Sequence, residues 1–107
     1  MTHKPHLTND GYQVLVDVAA ARITEVTVAP GQLVSAHTHS QAEELCYCIT
    51  GVLTVEIQNQ PHQTLPPGAR CRIPTAVPHR LMNHGPLPCK FLLVHRGGPF
   101  DFIPSSL

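Results

Sequence analysis

Gly31-Gln32-Leu33-Val34-Ser35-Ala36-His37-Thr38-His39-Ser40-Gln41-Ala42-Glu43-Glu44 carries two histidines two positions apart in a segment that reads as extended. On a strand, side chains at i and i+2 project to the same face, so His37 and His39 can converge on one point. A turn over Ser40–Ala42 returns the chain, and Glu44 opens the next strand, where its carboxylate can meet both imidazoles. Two neutral imidazoles and a carboxylate form a nitrogen and oxygen donor set suited to one divalent transition metal: Fe, Mn, Ni, Zn or Co.

Outward from this stretch, the chain is punctuated at short intervals by its 11 prolines and 7 glycines, which argues for many short strands rather than long helices. Runs rich in Val, Ile, Leu and Thr predict strands at Tyr12–Val18, Arg22–Val28, Leu33–His37, Glu44–Thr50, Val52–Gln58, Arg70–Pro74, His79–Asn83 and Phe91–Arg96. Turn signals separate them at Ala29-Pro30-Gly31, Asn59-Gln60-Pro61, Pro66-Pro67-Gly68, Pro74–Pro78 and Gly85-Pro86. Alternation is clearest over Val52–Ile57, where Leu53, Val55 and Ile57 share one face. Ala19-Ala20-Ala21 is the one helix-forming run, too short for more than a turn. An all-β sandwich or barrel follows, and periodicity alone does not choose between a jelly roll and an immunoglobulin-like sandwich.

The bulk properties bound the function. A chain of 107 residues without repeat or linker reads as one domain, residues 1–107. Seven basic residues balance seven acidic ones and only 13% of the chain is charged, so no nucleic-acid footprint or polybasic membrane patch is visible. The opening MTHKPHLTNDG has no apolar run to serve as a signal peptide, and no stretch nears the ~20 apolar residues of a membrane span. A cytoplasmic location is expected. The four cysteines, Cys46, Cys48, Cys71 and Cys89, include no C-x-x-C and read as reduced thiols.

A second stretch, Gly68-Ala-Arg-Cys-Arg-Ile-Pro74-Thr-Ala76-Val-Pro78-His79-Arg-Leu-Met-Asn83, starts a strand at His79 after a proline-bracketed turn. Together the two stretches resemble the paired motifs of the cupin superfamily. Gly31, His37, His39, Glu44 and Gly51 match the first motif (31–51) in spacing; Gly68, Pro74, His79 and Asn83 match the second (68–83). The one departure is Ala76, where the family has a glycine suited to positive φ, a conformation costing alanine about 1 kcal/mol. The short segment between the motifs resembles the small single-domain branch. The resemblance implies a single conical jelly-roll β-barrel, the double-stranded β-helix, with His37, His39, Glu44 and His79 as metal ligands in its mouth. Glu43 is a rival to Glu44, and the six residues before Gly51 select Glu44.

Around these ligands, Cys46, Cys48, Leu81 and His95 are candidate pocket-lining residues. Cys46 and Cys48 follow Glu44 at even spacing, which puts them on the inward face as core residues or as thiols beside the metal. His95 shares parity with Phe91 and Leu93 and suits a core or rim position better than a ligand role. His3, His6, His62 and His84 read as solvated or hydrogen-bonded surface residues. Arg70, Arg72 and Arg80 are candidates for a substrate carboxylate, although parity places Arg80 opposite His79. Functions implied by the resemblance start with a mononuclear metal enzyme acting on a small oxygenated organic molecule, a dioxygenase first and a sugar-acid isomerase or lyase next, with Glu44 also a possible general base. A non-catalytic binding or sensing cupin is the alternative. The family implies a homodimer, for which Val14–Val18 and the tail Phe100–Ile103 are candidate contacts; the tail could equally close its own barrel.

Overall fold

A computed structural model describes residues 11–107; His3, His6 and the opening segment read above lie outside them, Gly11 excepted. Ten strands are present among the described residues: β1 (Tyr12–Val18), β2 (Ala21–Val28), β3 (Leu33–Thr38), β4 (Glu43–Thr50), β5 (Leu53–Ile57), β6 (Gln63–Leu65), β7 (Arg70–Ile73), β8 (His79–Met82), β9 (Cys89–Arg96) and β10 (Ile103–Pro104). The eight expected strands appear with ends within two residues of the reading. β6 and β10 were not expected; strands of three and two residues carry too few alternations to register as a pattern.

The strands form two five-stranded sheets, ordered β1-β2-β9-β4-β7 and β10-β3-β8-β5-β6, with antiparallel pairing throughout. Neighbours distant in sequence, such as β2 beside β9 and β5 beside β8, give the jelly-roll connectivity. No hydrogen-bonded ladder among the described residues joins the two sheets, so the expected barrel is two facing sheets rather than a closed cylinder. The Ala19–Ala20 turn links β1 to β2, which disposes of any helix there.

Inward side chains of both sheets make the core, including Val26, Val28, Cys46, Cys48, Leu53, Val55, Leu81, Cys89 and Phe91, all fully buried. Leu53, Val55 and Ile57 face inward together, as their alternation requires. Two motif residues tie the layers. Asn83, buried, donates from Nδ2 to the carbonyls of Val28 (2.9 Å) and Leu87 (2.8 Å) and accepts from the Gly85 amide (2.9 Å). Gly51 sits at φ 75°, and a Cβ there would lie 2.6 Å from the Pro88 carbonyl oxygen, so only glycine fits.

Candidate metal centre

Two cross-strand pairs and a corner build the site. His37 of β3 stands directly opposite His79 of β8 in one sheet, and Glu44 of β4 stands opposite His95 of β9 in the other. His39 lies just beyond β3, at the corner where the chain passes to β4. β3 contains a bulge: Val34 pairs with Leu81 but His37 pairs with His79, so three residues of β3 span two of β8. That extra residue changes the parity of the strand and lets both Val34 and His37 face the interior.

His37, His39, Glu44 and His79 are all buried, and one donor atom from each lies within 4.8 Å of the others. Donors on opposite sides of one ion with ~2.1 Å bonds stand ~4.2 Å apart, so the spread is close to that of a single-ion site. The tautomers are fixed from behind. Nδ1 of His37 donates to the Ser35 carbonyl (2.7 Å), that of His79 to the Val77 carbonyl (2.9 Å) and that of His39 to the Asp101 carbonyl. His37 and His79 are left with an Nε2 lone pair, the arrangement of metal-ligating histidines, while Nε2 of His39 donates to Glu44 Oε1 a proton that a metal ion would displace. Nε2 of His79 is buried with no hydrogen-bond partner among the described residues, and Nε2 of His39 lies 2.9 Å from Glu44 Oε1. Lone pairs meeting a carboxylate call for a cation, so the donor set fits a divalent metal.

The electrostatics agree. Burial, reinforced by His79, pushes the His37 pKa down to about 4, which keeps that imidazole neutral and ready to ligate. Burial also disfavours charge on His39, but its hydrogen bonds to Glu44 and to the Asp101 carbonyl outweigh this and raise its pKa. Glu44 is desolvated too, yet the imidazoles of His39, His79 and His95 hold its pKa well below the usual carboxylate range.

Of the other expected residues, His95 is buried and lines the cavity above the site, with Nε2 2.5 Å from Glu44 Oε1. Cys46, Cys48 and Leu81 form no part of that cavity wall; all three are fully buried in the core. Cys46 does reach the site, its Sγ donating to Glu44 Oε2 at 3.3 Å, and burial beside Glu44 raises its pKa so that it stays a thiol. Cys48 lies one pleat deeper, too far along β4, against the carbonyls of Thr50 and Gly51. Glu43 faces outward between Arg72 and Arg96. Arg70 and Arg72 are exposed on the outer face, and Arg80 pairs with Glu56 (2.5 Å), so none of the three arginines weighed for a substrate carboxylate reaches the cavity. His62, exposed, lies 3.1 Å from Glu56, and His84 is exposed.

The cavity has a volume of about 210 Å³. Its walls are mostly apolar, from Val14, Val34, Leu93, Phe100 and Phe102, with Tyr12, Arg22 and Thr24 as the polar additions. Arg22 was missed because only Arg70, Arg72 and Arg80 lie near the motifs; its even spacing from Thr24, Val26 and Val28 was the available signal. Phe102 stacks on His37 with ring centroids 4.0 Å apart, and Phe100 lies against His39 and His95. The tail therefore closes its own cavity. It is held there by β10 pairing with Thr38 and His37 and by Asp101, whose carboxylate accepts from the Ser40 amide (2.9 Å) and hydroxyl.

The cupin domain family model matches residues 24–95, a span containing every one of these ligands. The chain belongs to the cupin family. Protein SchB of Streptomyces halstedii is 36% identical to this cupin over 70 residues, 65% of this chain and 49% of SchB, so the chain spans about half the length of that relative. Among solved structures, an uncharacterized protein with a double-stranded β-helix domain from Klebsiella pneumoniae aligns with a TM-score of 0.79 and 21% identity, over 96% of this chain and 92% of its own. DMSP lyase DddQ from Ruegeria pomeroyi aligns with a TM-score of 0.80 and 20% identity, over 92% of this chain and 55% of its own. An oxalate oxidase in complex with glycolate aligns with a TM-score of 0.77 and 21% identity, over 91% and 56%. At these identities the structural likeness establishes the shared fold.

Proposed function

We propose that this cupin holds one divalent transition metal on His37, His39, Glu44 and His79 and acts on a small, largely apolar oxygenated organic molecule. The observation that carries this reading is a cluster of four donors, three of which (His37, His39 and Glu44) line a cavity walled by Phe100, Phe102, Leu93 and Val34. A volume of about 210 Å³ lies below the ~300 Å³ of ordinary ligand pockets, which favours a small ligand. Bound there, the metal supplies Lewis acidity or, as iron, oxygen activation. The walls exclude water from the ligand, and Arg22, whose guanidinium pairs with Asp17 at 3.2 Å and lies over the Phe100 ring, adds a positive charge to the cavity wall. Glu44 serves as a ligand: a buried carboxylate surrounded by hydrogen-bond donors is a weak general base.

Oxygen chemistry on an apolar or aromatic substrate is the favoured activity. A sugar acid is less suited, since its hydroxyls would face phenylalanine and aliphatic side chains. Structural neighbours named as an oxidase and a lyase support small-molecule chemistry in this fold. Partner and location follow the same reading: a second copy covers β1, whose Val14, Leu15, Val16 and Val18 are each at least 41% exposed, and a cytoplasmic setting suits four free, buried thiols. No helix among the described residues is long and apolar enough to cross a membrane.

Elemental analysis of protein purified without a metal-binding tag tests the metal, with about one equivalent of a first-row ion expected. Oxygen uptake by the Fe(II)-loaded protein, screened against hydroxylated aromatics and small oxo-acids, tests the activity. Bound zinc alone with no uptake would remove the dioxygenase reading and leave the binding protein; no bound metal would overturn the assignment of the site.

A further inference from the structure

We infer that His95 is a positioning residue of the metal centre, donating its Nε2 proton to Glu44 and thereby holding the carboxylate in place for the ion. This rests on the metal reading above.

The hydrogen bonds sort the four buried imidazoles into two kinds. His37, His39 and His79 each spend an Nδ1 proton on a backbone carbonyl, of Ser35, Asp101 and Val77 respectively, and so can turn Nε2 to an ion; the proton that His39 Nε2 shares with Glu44 Oε1 at 2.9 Å in the metal-free protein is the one an ion would displace. His95 is the reverse. Its Nδ1 is buried with no partner among the described residues, while its Nε2 lies 2.5 Å from Glu44 Oε1. A carboxylate accepts and does not donate, so the proton between them sits on Nε2. With Nε2 committed to Glu44, the ring has no lone pair directed at the ion. His95 accordingly falls outside the group of donor atoms that converge within 4.8 Å, although it is as buried as His37 and His39.

Glu44 needs such a partner. It is 1% exposed, and the imidazoles that ligate would offer it no proton once each Nε2 faces a metal. Two donors among the described residues then remain to its carboxylate: Cys46 Sγ on Oε2 at 3.3 Å, a weak one, and His95 Nε2 on Oε1, a short one. The direct cross-strand pairing of Glu44 with His95 makes the contact a property of the β4–β9 register, and the Phe100 ring packs on His95 at 4.4 Å to fix its orientation. Partners of this type typically govern metal affinity by 10–100-fold.

The test compares wild type, His95→Gln and His95→Leu as full chains, with Co(II) affinity measured by competition against a chelating dye and with the thermal midpoint of each metal-free protein. Gln retains an N–H near the position of Nε2; Leu retains bulk alone. The expected result is a loss of about 10–100-fold for Leu and recovery of most of it by Gln, at similar thermal midpoints. Long-range proton–nitrogen correlation spectra of the zinc-loaded wild type should show His95 as the Nε2–H tautomer and the three ligands as Nδ1–H, a readout independent of any variant's folding. Equal losses for Gln and Leu, no loss for either, or an Nδ1–H tautomer at His95 would overturn the inference while the metal site stands. A wild type that binds neither ion would overturn both.

Discussion

Ala76 adopts φ 62° and its amide donates to the His39 carbonyl at 3.0 Å, so the second-motif turn keeps the conformation that the family's glycine takes, with an alanine in it. A β-carbon in the left-handed region costs about 1 kcal/mol. Ala76→Gly should therefore raise the stability of the protein by up to about 1 kcal/mol, less the chain entropy that glycine adds to the unfolded state, as read by urea titration. A loss instead would mean that Ala76 makes contacts worth more than its strain. His37 sets a pH dependence of definite sign. Its folded pKa of about 4 lies below the unfolded value near 6.5, so between these pH values the unfolded chain binds the extra proton. Stability attributable to His37 is complete above pH 6.5 and declines as the pH falls toward 4, at no more than about 1.4 kcal/mol per pH unit. His39 shifts the other way, so the measurement compares metal-free wild type with His37→Gln, whose stability difference should move in favour of the variant on acidification. A difference that stays constant from pH 7 to 4 would contradict the burial of a neutral ring.

At the scale of elements, the tail beyond β9 does more than end the chain. The segment 99–105 crosses the cavity, places Phe100 and Phe102 on three of the site's imidazoles, and supplies the carbonyl that fixes the His39 tautomer. It is attached by the β10 pairing, the Ser105 amide to the Ala36 carbonyl (3.0 Å) and Asp101 to Ser40. Removing residues 99–107 should leave the two large sheet cores folded but weaken metal binding at least tenfold. Circular dichroism and Co(II) competition measure the two effects separately, and unchanged affinity would show that His39 keeps its orientation without the tail. This contact was legible only in part. Phe100, Phe102 and Ile103 stand out as apolar residues in a short tail, but whether they cover their own cavity or a neighbouring chain depends on where the preceding Gly97-Gly98 turn sends them.

For the whole molecule, the same sheet that carries Glu44 and His95 ends in β1, an edge strand with Val14 50%, Leu15 49%, Val16 41% and Val18 60% exposed. An apolar edge with no partner strand among the described residues is a ready site for strand or face pairing. Sedimentation at micromolar concentration should give twice the mass of the 11.7 kDa chain, and Val16→Lys should return the single mass. A wild type that sediments as one chain would leave β1 without the second copy assigned to it. Tyr12 and Val14 both line the cavity, so dimerisation at β1 would also alter access to the metal centre.

The candidate donors and the class of fold were legible in the chain itself. Strand periodicity and spacing bring His37, His39 and Glu44 together because that pattern repeats within a few residues and can be read locally, whereas His79 came from the resemblance to the family's second motif. The preference for Glu44 over Glu43 rests on the six residues before Gly51, and the fold turns Glu43 out toward Arg72 and Arg96. The rest depended on strand pairing. The bulge between Val34 and His37 resets which face of β3 meets the cavity, and a bulge is a property of the pairing with β8 that one strand does not reveal. His95 meets Glu44 across 51 positions of sequence through the β4–β9 register, and Asp101 meets His39 across 62. Local pattern tells which way a side chain points. Only the register of distant strands tells what it points at.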